Sequence, residues 1–193
     1  MALFRTVTPK RRNITKAVTS HRGHKADLKL DFVDKCGWCD ASDSWKTTYF
    51  EVDHFIPENI LTIKTNTDYS NLIYSCRSCN NAKRKKWPTN DENIPNKNDE
   101  GFIDPCDDEY LKQFERNDNG EISYKTELGK WMYFALKLDK PQHQVIWQLE
   151  KLEPIVTQIK QIKDLVNIPE EIKDRIISVL VRYDNYRDAL RVY

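Results

Sequence analysis

Glycine is scarce in this chain of 193 residues, which holds 5 Gly, 8 Pro and 5 Cys. Those counts exclude a collagen-like repeat and a disulfide-dense scaffold. Long apolar runs are missing as well. The most apolar stretch, residues 176–181, spans six positions, against the roughly 18 needed to cross a bilayer. The N-terminus lacks the apolar block of a secretory signal, and no internal repeat is visible. The expectation is a cytoplasmic protein of one or two domains, with a modest core and no membrane contact. Acid is absent from the first 26 residues, where Arg5, Lys10, Arg11, Arg12, Lys16, Arg22 and Lys25 alternate with Thr and Ser. A mitochondrial presequence shares that composition, but Pro9 and the weak apolar periodicity favour a basic arm.

Charge of one sign is also lacking overall: 31 Lys+Arg against 30 Asp+Glu give +1. Taken alone, that figure argues against a nucleic-acid partner. Mapped along the chain it reads +6 over residues 1–35, +1 over 36–90, −8 over 91–122 and +2 over 123–193. A basic front is offset by an acidic middle, and such asymmetry is a better guide to partners than the total. The front half therefore suits a polyanion. The acidic stretch would serve as a solvated linker, a docking surface or a DNA mimic that shields the basic face.

Four segments follow. Residues 1–35 read as the basic arm plus a short helix over 25–35, with Leu28, Leu30, Phe32 and Val33 as its apolar face. Residues 36–86 carry the chemical punctuation, with a strand over 47–55, a short apolar piece over 71–74 and a helix starting at Asn80. Residues 87–127 read as an acidic, largely irregular connector. Residues 128–193 are helical in pattern. Trp131, Phe134, Ala135 and Leu138 mark one helix. Val145, Leu149, Leu152, Val156, Ile159, Ile162 and Val166 recur at helical spacing in the next, where Pro154 is expected to kink or split the run. The last opens at Pro169-Glu170-Glu171 and continues through Ile172, Ile176, Val179, Leu180, Tyr183, Tyr186 and Leu190. These stripes read as core or as a helical hairpin.

Cys36-Gly-Trp-Cys39 and Cys76-Arg-Ser-Cys79 are two C-x-x-C pairs separated by 36 residues. Each supplies two thiolates from one tight turn, the pattern of one tetrahedral Zn²⁺. A disulfide framework would leave Cys106 over, and a redox C-x-x-C normally occurs once. Cys106 reads as an ordinary thiol. Four cysteine ligands leave no position for water, so the zinc is structural and any chemistry lies elsewhere.

Between and after the pairs stand Asp53-His54-Phe55-Ile56-Pro57, Asn71-Leu72 and Cys79-Asn80-Asn81-Ala82-Lys83. Hydrolysing a phosphodiester needs a base to deprotonate water and a cation to hold the phosphate and the departing oxygen. An imidazole suits the first task. A carboxylate and an amide oxygen suit Mg²⁺ or Mn²⁺. Asp53 and His54 are adjacent, so the strand must end or bend there for both to serve one site. Asn80 directly follows the last cysteine, which would fix its position. His21, His24 and His143 have no such context and are expected to have no role.

The ordered set C-x₂-C, D-H-x-x-P, N-L and C-x₂-C-N-x-x-K resembles the HNH endonucleases, the Cys₄-zinc branch of the ββα-metal (His-Me finger) nucleases. The resemblance implies an α+β, mostly helical chain: a ββα-metal core with a structural Cys₄ zinc at Cys36, Cys39, Cys76 and Cys79, then an α-helical C-terminal region. It implies His54 as general base, Asp53 and Asn80 as holders of a catalytic Mg²⁺ or Mn²⁺, and Asn71 as the brace of the loop that orients His54. The products would be a 5′-phosphate and a 3′-hydroxyl. Beside such a site Lys83, Arg84, Lys85 and Lys86, with Arg11 and Arg12, would contact phosphates. The expected substrate is DNA, with RNA such as tRNA as the alternative. A non-catalytic zinc module binding nucleic acid or protein is the reading from another class.

Asp104-Pro105, Phe114, Asn119-Gly120-Glu121-Ile122 and Ala135-Leu136-Lys137-Leu138 extend a weaker likeness, to the PtuB-type HNH subunits of bacterial anti-phage systems. That likeness implies a defence effector working beside an SMC/ABC-type ATPase. Oligomeric state is left open.

Overall fold

The computed structural model describes residues 2–45, 49–162 and 167–192. Thr47 and Thr48 of the expected strand, and Val166 of the helical stripe, lie outside the described residues. The chain is a mixed α+β protein with a helical C-terminal region. Its centre is a two-stranded antiparallel sheet. Strand β1, Phe50–His54, pairs with β2, Leu72–Cys76, in register from Phe50 opposite Cys76 to His54 opposite Leu72. All five residues of β2 are buried. Covered on both faces, the strand reads as an apolar run rather than an alternation.

Helix α1, Lys25–Asp31, packs on this sheet and follows a 3₁₀ turn, His21–His24. It stops short of the expected residue 35 because Val33 and Asp34 take positive φ, 53° and 58°. Helix α2, Arg77–Lys83, follows β2 without a loop. It begins three residues before Asn80, since the second cysteine pair forms its first turn. It ends at Lys83, where Arg84 takes φ 48°. The basic run 83–86 therefore does not continue a helix.

Residues 2–12 are not a free arm. Phe4 and Arg5 are 3% and 4% exposed, and Ala2 bridges to Arg116. The acidic stretch is likewise more than a connector. It holds two short hairpins, β3 Asn96–Lys97 with β4 Glu100–Gly101 and β5 Phe114–Arg116 with β6 Ile122–Tyr124, and a 3₁₀ helix, Asp108–Gln113. Most of its acids face water, Glu92 being buried, while Trp87, Phe102, Tyr110 and Phe114 fill the core. The Phe102 and Tyr110 rings lie 5.7 and 6.2 Å from the fully buried Trp38. Burying a side chain of that size is worth about 2–3 kcal/mol, so this stretch and the cysteine segment stabilise each other. Gly101 has φ +127°, and a Cβ there would sit 2.3 Å from the Pro95 carbonyl; only glycine fits the turn.

Helix α3, Glu127–Leu136, is capped by Thr126, whose hydroxyl accepts from Gly129 N–H at 2.8 Å. Helix α4, Pro141–Lys160, runs through Pro154 unbroken. Pro154 lies on the exposed face, where water can serve the carbonyl left without its N–H partner. Helix α5, Glu170–Leu190, packs against α4 as a helical hairpin. No helix among the described residues is long and apolar enough to cross a membrane.

Candidate active site

Cys36 and Cys39 lie on the turn between α1 and β1, Cys76 closes β2, and Cys79 sits in the first turn of α2. Their four sulfurs lie within 4.8 Å of one another, all buried and none in a disulfide. Cys39 Sγ and Cys76 Sγ are 3.8 Å apart. A tetrahedron with metal–sulfur bonds of about 2.3 Å has an edge of about 3.8 Å. Hydrogen bonding to Cys36 and its neighbours, with burial, pushes the Cys39 and Cys79 thiols well up. One cation among the sulfurs would end that contest for protons. The donor set fits a closed, structural Cys₄ zinc site.

Three of the four carbonyls of the first cysteine turn are held from outside the segment, and that of Cys36 accepts from Asp40 N–H at 2.9 Å. Gly37 O accepts from Arg5 Nη2 at 2.6 Å, Trp38 O from the Tyr110 hydroxyl at 2.6 Å, and Cys39 O from Arg116 Nη2 at 2.8 Å. Gly37 is packed so closely that a Cβ would meet the Phe32 ring at 2.6 Å and Ile73 Cγ2 at 2.8 Å. The Trp38 indole points the other way and donates to Asp53 Oδ2 at 2.8 Å. The cysteine turn is thus tied directly to the end of β1.

Strand β1 ends at His54, and the chain turns there. The turn is fixed by Asn71, fully buried, whose Oδ1 accepts from Ile56 N–H at 2.9 Å and whose Nδ2 donates to Ile56 O at 3.0 Å. The His54 carbonyl accepts from Lys83 Nζ at 2.7 Å. His54 Nε2 lies 2.8 Å from Asn66 O. A carbonyl only accepts, so Nε2 carries the proton, and in the neutral ring Nδ1 holds the free lone pair.

Asp53, His54 and Asn80 line one cleft of about 320 Å³ together with His21, Glu58, Arg84 and Lys85. Asn80 Nδ2 donates to Glu51 Oε2 at 2.7 Å, which leaves its Oδ1 available to a cation. Asp53 Oδ1 lies 3.9 Å from Lys83 Nζ. Burial pushes the Asp53 carboxyl up, against the pull of Lys83 and Trp38, and burial draws the Lys83 ammonium down. One oxygen on each of Asp53 and Asn80 suits a hard divalent ion.

The segment that carries all of this, residues 36–86, matches the family model described as HNH endonuclease. Residues 36–86 form an HNH endonuclease domain. The four buried cysteines fit its Cys₄ zinc branch. No curated protein and no solved structure matches the chain, and the likeness to PtuB-type subunits finds no support.

The basic residues expected at phosphates part company around the HNH domain. Arg84 and Lys85 line the cleft. Lys83 does not: it is fully buried, with Trp38 and Phe102 rings 5.9 and 5.5 Å from its Nζ. Lys86 Nζ donates to Ala135 O at 2.7 Å, near the carbonyl end of α3. Arg11 grips Asp104 at 2.8 and 3.0 Å and donates to Leu72 O at 2.7 Å. Arg12 pairs with Asp31 through its side chain and its backbone N–H. Lys83, Arg11 and Arg12 face Asp53, Asp104 and Asp31 of the same molecule, and Lys86 is spent on a helix-end carbonyl.

Two cleft residues had no signal in the sequence. His21 lies outside the HNH match, on the 3₁₀ turn, and its ring sits 4.6 Å from that of His54. Glu58 follows the D-H-x-x-P motif and puts Oε1 3.6 Å from His54 Nε2. A second hollow of about 440 Å³ shares His21, Val52 and Asn80 with the cleft and adds Arg22 and Lys25. Together they make a groove with basic residues at both ends.

Proposed function

We propose that this protein is a divalent-metal-dependent endonuclease that hydrolyses DNA phosphodiesters, with His54 as general base. The observation that carries the reading is the 2.8 Å contact between His54 Nε2 and the Asn66 carbonyl: the carbonyl takes the Nε2–H, so Nδ1 can take a proton from water. Asp53 and Asn80, in the same cleft, would hold Mg²⁺ or Mn²⁺. Such an ion supplies charge for the scissile phosphate and the departing oxygen. Lys83 fixes the carbonyl of His54 and Asn71 the backbone of Ile56 two residues on, and so they hold the imidazole at a set position. Arg22 and Lys25 at one end of the groove, and Arg84 and Lys85 at the other, would bind flanking phosphates, positioning the strand without reading sequence. Water attack would leave a 5′-phosphate and a 3′-hydroxyl. The expectation of an ATPase-linked defence effector rests on the second likeness alone and gains nothing from the geometry.

The test incubates wild type, His54→Ala and Asn80→Ala with plasmid, single-stranded DNA and tRNA, in Mg²⁺, Mn²⁺ or EDTA. Wild type is expected to nick or linearise plasmid with metal only, and both variants to lose that activity. Equal behaviour of wild type and His54→Ala on every substrate would leave a non-catalytic zinc module. Cleavage confined to tRNA would move the substrate to RNA.

A further inference from the structure

We propose that His21, His54 and Glu58 form a site for one transition-metal ion of the Zn²⁺ class, separate from both the cysteine site and the Asp53–Asn80 pair, and that occupancy there switches off His54 as a base. One donor atom from each of the three lies within 4.8 Å of the other two. Glu58 Oε1 is 3.8 Å from His21 Nδ1 and 3.6 Å from His54 Nε2. Tetrahedral zinc with bonds of about 2.0–2.1 Å needs donors about 3.3–3.4 Å apart. The two Glu58 distances exceed that by a few tenths of an ångström, which Glu58, half exposed, can close. The two ring nitrogens, within 4.8 Å of each other, must also draw together, and the Asn66 carbonyl, 2.8 Å from His54 Nε2, must yield its place to the ion.

The donors choose the ion. Two imidazoles and one carboxylate suit Zn²⁺, Co²⁺ or Ni²⁺, and a fourth position is left for water. Mg²⁺ prefers an all-oxygen, octahedral shell and gains little from imidazole.

The consequence for His54 follows from its proton. An ion bonded to Nε2 displaces the hydrogen that Nε2 gives to Asn66 O. The neutral, metal-bound ring then carries its proton on Nδ1, the atom that would have accepted one from water. One proton moves from Nε2 to Nδ1 through solvent, nothing is oxidised or reduced, and the base is gone. The switching part rests on the nuclease reading; the ion site does not.

The experiment uses the full chain with its cysteine site already zinc-loaded. Zn²⁺ is titrated by calorimetry into wild type, His21→Ala and Glu58→Gln, and long-range ¹H–¹⁵N spectra report the His54 tautomer. One further equivalent is expected in wild type, at least tenfold weaker in each variant, with the His54 proton moving from Nε2 to Nδ1. Absence of a further equivalent, or the same affinity in all three proteins, overturns the site. Cleavage at saturating Mg²⁺ is then followed with added Zn²⁺, each protein referred to its own zinc-free rate. Wild type should be inhibited at zinc concentrations that His21→Ala tolerates at least tenfold better. A bound second ion with undiminished cleavage overturns the switch. A protein that cleaves nothing under any condition removes the nuclease reading, while calorimetry and the tautomer still decide the ion site.

Discussion

At the scale of single residues, the site depends on side chains that hold backbone rather than substrate. Asn71 satisfies both the N–H and the carbonyl of Ile56. Asn71→Ala leaves two buried groups unpaired and should cost about 2–4 kcal/mol, read as a shift in the denaturant midpoint at unchanged m-value. Lys83 behaves differently. Its ammonium is drawn down by burial, so Lys83→Met removes a desolvated charge along with the hydrogen bond to His54 O. Stability should fall by about 3–5 kcal/mol, because the buried Asp53 carboxyl loses the ammonium 3.9 Å away, while cleavage by the folded protein falls at least tenfold because the end of β1 is released. Undiminished cleavage by the folded protein would contradict that assignment. The motif spaces Asp53, His54, Asn71 and Asn80 in order, and the fold sets Asp53, His54 and Asn80 in one cleft. The burial of Lys83 was not legible, since nothing local tells a lysine on a helix to point at Trp38. His21 and Glu58 were illegible for a related reason: the 3₁₀ turn brings His21 to His54 from 33 positions away, and only the local bend after His54 turns Glu58, four positions on, back to its ring.

At the scale of elements, the loop between β1 and β2 carries Asn66, whose carbonyl sets the tautomer of His54. That loop is clamped by one carboxylate. Glu92 accepts from the backbone N–H of Ile63 at 2.7 Å and of Lys64 at 2.9 Å, and from the Thr62 hydroxyl at 2.8 Å. The backbone N–H of Thr62 heads the donors that hold the Glu92 carboxyl down to about 2. A carboxyl lowered on folding stabilises above its unfolded value, about 4.3, and that contribution is lost as pH falls through the folded one. The melting-temperature gap between wild type and Glu92→Gln should therefore be full above about pH 5 and close towards pH 2. A gap constant over that range would refute the clamp. The β-formers marked the first strand, and the ββα order came with the family resemblance. The ends were not legible: α1 ends at Asp31, just before Val33, and α2 at Lys83, before Arg84, residues with positive φ that carry no glycine to announce them. Pro154 misled in the opposite direction, because its exposed side lets water replace the missing hydrogen bond.

At the scale of the molecule, the HNH domain is not a detachable module. Arg5, Tyr110 and Arg116 hold three of the four carbonyls of the first cysteine turn, and Glu150 of α4 accepts from Ser42 N–H at 2.7 Å and Lys35 Nζ at 2.9 Å. Structural zinc in small finger peptides is worth about 10–16 kcal/mol. Cys76→Ser should accordingly abolish bound zinc, near one per chain in wild type, and collapse cooperative unfolding well beyond residues 36–86. Survival of a sharp transition in the zinc-free variant would argue against this coupling. Charge along the chain suggested a basic front and an acidic shield. Folding spends much of both, in pairs such as Arg11 with Asp104, and leaves Arg22, Lys25, Arg84 and Lys85 along the groove. Composition could register the opposing charges but not which of them neutralise one another.

The most direct measurement is chemical rescue of the base. His54→Gly should cleave DNA about 10²–10⁴-fold more slowly than wild type in Mg²⁺, and added imidazole should restore part of that loss while leaving wild type unchanged. A His54→Gly protein that cleaves at the wild-type rate without imidazole would contradict the account.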